Sequence, residues 1–206
     1  MPIKSSFADS ALSLKQQLGQ KLMLDLRYFC HQGSSQRCRT PVTELPDELA
    51  KAISRYDIGG VILFSENTQN IEQIISLNQQ LQQAASASKS GLPLFISIDQ
   101  EGGRVARLPR DVATSFTGNM SIGATYPEHG TYFATQTAQV LASELSALGI
   151  NVNYAPTVDV NMNPDNPVIN VRSFSENPDE VAALAAAQVI EFEKNGIISA
   201  IKHFPG

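Results

Sequence analysis

Basic charge is what this sequence has too little of. Its 15 Lys and Arg are outnumbered by 20 Asp and Glu, for a net charge of −5 and a pI of about 5.2. With no basic stripe to neutralise phosphates, a nucleic-acid partner is excluded. No apolar run reaches the roughly 18 residues of a membrane helix, so no membrane segment is read. The opening Met1-Pro2-Ile3-Lys4 shows no apolar stretch of the kind a secretory signal carries. No G-x-G-x-x-G follows any strand candidate, which removes the dinucleotide-binding reading.

Cysteine is also scarce. Cys30 and Cys38 flank the stretch that contains His31. Two thiols and one imidazole are an incomplete metal set without the usual C-x₂-C spacing, so no metal site is expected. Two readings stay open, a small disulfide-closed loop or free thiols. A disulfide implies an oxidising compartment, periplasmic or extracellular, with the cytoplasm as the alternative.

What is present suits one α/β domain. The chain has 206 residues, 42% of them apolar, enough for a sizeable core. Five short apolar runs read as strands: Leu22 to Leu26, Gly59 to Phe64, Leu94 to Asp99, Asn151 to Val160 and Ile197 to His203. Most are nearly continuous rather than alternating, the pattern of strands buried on both faces of a parallel sheet. Between them lie helices with recognisable starts. A helix from about Pro46 to Arg55 links the first two strands. Asn70 caps a helix bearing Ile71, Ile74, Ile75 and Leu81, with Gln73 at the capping-box position. A third helix runs from Thr125-Tyr126-Pro127-Glu128 to Leu148, with Gly149 after it. Asn177-Pro178-Asp179-Glu180 places a cap, an N1 proline and first-turn acids ahead of an Ala-rich helix that ends before Gly196.

Strand, helix, strand, repeated, predicts right-handed crossovers and a parallel sheet, either doubly wound or part of a (β/α)₈ barrel. Residues 1–9 read as a polar leader, and residues 28–44 and 103–126 as long loops after the first and third strands. The sequence stops at Phe204-Pro205-Gly206, just past a strand candidate where a functional loop is expected to begin.

Polar groups gather where strands end. Asp99-Gln100-Glu101-Gly102-Gly103-Arg104-Val105-Ala106-Arg107 follows the third strand, Asp159 and Arg172 the fourth, and Lys202-His203 the fifth. Carboxylates accept paired hydrogen bonds from vicinal hydroxyls, and Arg and Lys donate to other ring oxygens. That combination suits a polyhydroxylated ligand. The two glycines allow a tight turn that aims the flanking side chains. Structural roles compete at each position. Asp99 and Asp159 also suit caps or ion pairs, as does Asp25 at the end of the first strand. Glu101 reads as a buried carboxylate locked to Arg104 or another rim cation, and His203 also suits a satisfied core histidine.

Taken together, Gly59-Gly60-Val61-Ile62-Leu63-Phe64, the Asp99 to Val105 stretch, Asn153-Tyr154-Ala155-Pro156-Thr157-Val158-Asp159-Val160, Arg172-Ser173-Phe174 and Lys202-His203-Phe204-Pro205-Gly206 resemble glycoside hydrolase family 3. The likeness is to its β-N-acetylglucosaminidase (NagZ-like) branch and spans roughly residues 12–206. It implies a (β/α)₈ TIM barrel of which residues 10–206 supply about the first five βα units. It implies removal of terminal, β-linked N-acetylglucosamine from oligosaccharides such as chitin or peptidoglycan fragments, with retention and without metal or organic cofactor. Asp99, Arg107, Arg172, Lys202 and His203 match the family's substrate contacts. The family's acid/base histidine and aspartate nucleophile match positions beyond Gly206, so no catalytic residue is assigned, and these 206 residues alone are expected to be inactive. A family 3 β-glucosidase and a non-catalytic sugar-binding barrel relative are the alternatives.

Overall fold

A computed structural model describes residues 12–30 and 38–204. The expected leader (residues 1–9), His31 and the last two residues lie outside them. The five apolar runs form five parallel strands: β1 (Met23–Asp25), β2 (Gly60–Leu63), β3 (Phe95–Ile98), β4 (Val152–Asn153) and β5 (Ile198–Ser199). Their order in the sheet is the order of the chain, β1-β2-β3-β4-β5. A doubly wound sheet must reverse its order at a switch point. A sequential parallel sheet does not, and is an arc of a barrel. The domain is therefore a TIM-barrel-like α/β domain.

The helices are α1 (Leu14–Gly19), α2 (Asp47–Tyr56), α3 (Ile71–Ser86), α4 (Asn119–Ala124), α5 (Tyr126–His129), α6 (Tyr132–Ala147) and α7 (Pro178–Lys194). Asn70 caps α3 by accepting from the Gln73 amide at 2.9 Å, and Asn177 caps α7 by accepting from the Asp179 amide at 2.9 Å. The core lies between the outer face of the sheet and the helices. Val61, Leu63, Ile96 and Ile98 pack there with Ile74, Leu77 and Leu81 of α3 and Leu141 and Leu145 of α6, all buried. On the other face of the sheet, the register aligns Met23 with Gly60 and Gly60 with Phe95.

Several expected boundaries move. The fourth strand stops at Asn153 rather than reaching Val160, because Pro156 brings no N–H to the ladder. Pairing with the β5 side resumes only at the isolated Thr157–Lys202 bridge. The helix expected from Thr125 to Leu148 is two helices, broken at Gly130, where φ is +54°. Gln73 does not close the box onto its own cap. Its side chain accepts from the Gln69 amide and donates to the Thr43 and Asn67 carbonyls. The capping pair Ser13 and Gln16 opens α1, which the sequence reading passed over. Within the loop expected at 103–126, α4 forms.

α4 has a positioning role. Its Asn119 side chain donates to the Arg172 carbonyl at 2.9 Å, and Gly123 is so close to residue 174 that an added Cβ would overlap the Phe174 carbonyl oxygen. Phe174 is buried in a second cluster with Ile122, Ala134, Val181, Leu184 and Ala185. Gly123→Ala must push these segments apart and is expected to destabilise the domain by about 1–3 kcal/mol. A denaturant melt checks this, and an unchanged midpoint would show that the contact yields freely.

Cys30 and Cys38 are joined in a disulfide with their Cα atoms 6.0 Å apart. Next to it, the Phe29 amide donates to the Thr40 carbonyl and the Val42 amide to the Arg27 carbonyl, both at 3.0 Å, so the loop after β1 leaves and returns as a narrow ribbon.

Candidate functional site

The C-terminal ends of parallel barrel strands carry loops whose backbone is free to present side chains, and sites are built there. Beyond β3 the chain makes a tight turn, with Gly102 at φ +82° and Gly103 at φ +62°. The Glu101 amide donates to the Val105 carbonyl at 2.9 Å. A Cβ on Gly103 would come within 2.7 Å of the Gly118 Cα. The buried Gln100 side chain accepts from the Arg107 and Leu108 amides at 2.8 and 3.2 Å, which returns Arg107 to the rim. Asn153 at the end of β4 clasps the Gln100 backbone from both sides, accepting from its amide at 3.0 Å and donating to its carbonyl at 2.9 Å.

This scaffold brings four of the expected residues into one charge network. Lys202 Nζ lies 2.6 Å from Asp99 Oδ1 and 2.6 Å from Glu101 Oε1. Arg172 grips Glu101 with two parallel bonds, Nε to Oε2 at 2.9 Å and Nη2 to Oε1 at 2.8 Å. Arg107 Nη2 stands 3.7 Å from Asp99 Oδ2. That separation is longer than a hydrogen bond, so Oδ2 remains open to a donor. Arg107 Nε is buried without a protein partner among the described residues.

Glu101 is the hub of the network, with its side chain only 1% exposed. Burial disfavours its charge, but hydrogen bonds from Arg172 and Lys202, with their positive charges, outweigh that and hold its pKa below the ordinary value. Of the two partners weighed for Glu101, Arg104 is not the one used. Arg104 donates to the Pro167 carbonyl at 3.3 Å. Arg172 is more committed than a free substrate contact, because its third nitrogen, Nη1, donates to the Val168 carbonyl at 3.2 Å. Two of its five N–H groups remain.

His203 stands apart from the network, paired with Asp159 at 2.8 Å and about half exposed. The sequence reading left Asp159 undecided because its partner lies 44 residues away. Phe64, read from sequence only as the end of the second strand, also lies here. The Phe64 ring carries the Arg27 guanidinium 4.0 Å from its centroid, with Arg107 at 5.9 Å. Arg27 is itself held by Asp25, 2.5 Å away. Position at the end of an apolar strand was the available signal for Phe64. Among the described residues no group of three or more His, Cys, Asp or Glu is placed to hold a metal. No helix among them is long and apolar enough to cross a membrane.

The glycosyl hydrolase family 3 N-terminal domain profile matches residues 13–206. A β-hexosaminidase A from Pseudoalteromonas piscicida is 63% identical over 209 residues, covering 99% of this chain and 35% of the relative. The structure of a glycoside hydrolase family 3 β-N-acetylglucosaminidase from Paenibacillus sp. str. FPU-7 superposes with a TM-score of 0.81 at 40% identity, over 95% of this chain and 34% of that one. NagZ from Neisseria gonorrhoeae, in complex with N-trifluoroacetyl-D-glucosamine, superposes with a TM-score of 0.74 at 33% identity, over 90% of this chain and 50% of that one. The chain thus spans about a third to a half of the length of these proteins.

Proposed function

The chain belongs to glycosyl hydrolase family 3, as its N-terminal domain, and we propose that the whole protein is a β-N-acetylhexosaminidase. It removes terminal non-reducing N-acetylglucosamine from β-linked glycans, such as chitin or peptidoglycan fragments, with retention of configuration. The observation that carries this is the Asp99–Lys202–Glu101–Arg172 network at the ends of β3 to β5. Its buried inner half is neutralised, while Asp99 Oδ2 and Arg107 at its outer edge, and His203 outside it, keep hydrogen-bonding capacity for sugar hydroxyls. Arg172 holds Glu101 and has two N–H groups left for the ligand.

Retaining hydrolysis needs a nucleophile on one face of the anomeric carbon and an acid on the other side of the bond. Asp25, Asp99, Glu101 and Asp159 are each engaged by a cation or a histidine. We assign them to binding and structure and assign none of the described residues to the nucleophile. The Cys30–Cys38 disulfide supports a periplasmic or extracellular location over a cytoplasmic one.

Turnover of 4-nitrophenyl N-acetyl-β-D-glucosaminide by the whole protein, beside the corresponding β-D-glucoside, tests the reading. The N-acetyl substrate is expected to be preferred by more than about 100-fold, toward the roughly 10⁴–10⁵-fold reached when a site's buried polar groups lose their partner, and the first-formed sugar is the β-anomer. Preference for the glucoside would make the protein a β-glucosidase. Sugar binding without turnover would make it a non-catalytic relative.

A further inference from the structure

Asp159 sits where two stretches of chain are stitched together. The Val158 amide donates to the Lys202 carbonyl at 2.6 Å, Thr157 bridges Lys202, and the Ser173 hydroxyl donates to the Asp159 carbonyl at 2.5 Å. The Asp159 carboxylate is therefore fixed relative to residue 203 before any side-chain contact is made. One of its oxygens, Oδ2, then meets two nitrogens of the same residue, the His203 amide at 3.2 Å and His203 Nδ1 at 2.8 Å.

An ionised carboxylate accepts and cannot donate. A hydrogen bond at this distance requires the proton to be on Nδ1. In a neutral imidazole the lone pair is then on Nε2. The ring is about half exposed, whereas the carboxylate side chain is only 18% exposed. Asp159 faces inward to the histidine, and Nε2 is the ring atom left for a ligand. The preceding residue, Lys202, carries only donors. Adjacent positions thus carry a donor, held by Asp99 and Glu101, and an acceptor, aimed by Asp159.

We propose that Asp159 is a positioning residue that locks His203 in the Nδ1–H tautomer, so that Nε2 accepts a hydrogen bond from a substrate hydroxyl. The sugar half of this inference rests on the glycosidase reading; the tautomer half does not. The ligand chemistry it selects is a hydroxyl that donates at this position. An analogue with hydrogen or methoxy in its place would lose the contact.

The test uses the whole protein labelled with ¹⁵N-histidine at about pH 8.5, two units above the ordinary histidine value of about 6.5. The His203 ring resonances are assigned by their loss in His203→Asn. The wild type is expected to show a protonated Nδ1 and an unprotonated Nε2. Asp159→Ala is expected to populate the Nε2–H tautomer and to lower kcat/KM on the aryl N-acetylglucosaminide about 10- to 100-fold, mainly through KM. Asp159→Asn keeps an acceptor oxygen for Nδ1–H and is expected to recover at least about fivefold of that loss. A purely structural Asp159 would lower stability without moving the tautomer, and that result overturns the proposal. So does an Nε2–H tautomer in the wild type, or a folded Asp159→Ala protein with kcat/KM within about twofold of wild type. If the wild type shows the Nδ1–H tautomer but neither binds nor cleaves the sugar, the glycosidase reading has failed, the substrate contact falls with it, and the positioning by Asp159 stands.

Discussion

Asp99→Ala in the whole protein is expected to lower kcat/KM on 4-nitrophenyl N-acetyl-β-D-glucosaminide by about 10²–10⁴-fold. A hydrogen bond to a charged group contributes about 1.5–3 kcal/mol, and a carboxylate gripping vicinal hydroxyls makes two of them. The structure adds a second reason. Asp99 Oδ1 takes one of the bonds from Lys202 Nζ at 2.6 Å. Without it Lys202 is tied only to Glu101, and Arg107 loses the carboxylate 3.7 Å away. Asp99→Asn keeps the shape and one acceptor and is expected to fall between wild type and alanine. Steady-state kinetics on both variants check this. A fall below about threefold for alanine would show that Asp99 does not hold the sugar.

Glu101→Gln is expected to be among the most damaging changes to stability in the domain. The Glu101 side chain is 1% exposed, and its partners Arg172 and Lys202 are 12% and 15% exposed. Removing one partner from a buried ionic cluster strands the rest, at a cost of about 3–5 kcal/mol. The glutamine fills the same volume, so the loss reports charge rather than a cavity. Its pH dependence has a definite sign. The folded-state pKa of Glu101 lies below the ordinary value. Its contribution is therefore fully present above the unfolded glutamate value of about 4.3 and is lost as pH falls below that toward the folded value. Wild type minus Glu101→Gln in unfolding free energy should be flat from about pH 6 to 8 and should shrink in acid. A difference that grows as pH falls would mean that Glu101 is protonated in the folded protein.

The sheet was legible in the sequence because its strands are continuous apolar runs separated by capped helices. Asn70 and Asn177 mark helix starts by a local rule, one side chain reaching an amide two or three residues on, and such rules survive folding. Strand lengths were less legible. The run from Asn151 to Val160 interleaves Val152, Tyr154, Ala155, Val158 and Val160 with polar residues in a strand-like pattern, yet the ladder ends at Asn153, because hydrogen-bond pairing depends on the neighbouring strand and on Pro156.

The site divides the same way. Strand ends and the Gly102-Gly103 turn placed Asp99, Arg107, Arg172, Lys202 and His203 on one rim from sequence alone. Which carboxylate holds which cation was not readable. Arg104, three residues from Glu101, was the nearest candidate in the chain. The partner that took both Glu101 oxygens is 71 residues away. Local proximity lost because the turn at the glycines sends Arg104 to the Pro167 carbonyl. The Asp159–His203 pair was hidden for the same reason, since it forms only when the loop after β4 meets the end of β5.

The most direct test of the sugar-binding rim is a crystal structure of the whole protein with N-acetylglucosamine. Sugar hydroxyl oxygens are expected within about 3.2 Å of Asp99 Oδ2, Arg107 and His203 Nε2, with the Lys202–Glu101–Arg172 network intact beneath them. A sugar seated away from the ends of β3 to β5, with Asp99 and His203 both free of it, would contradict the account.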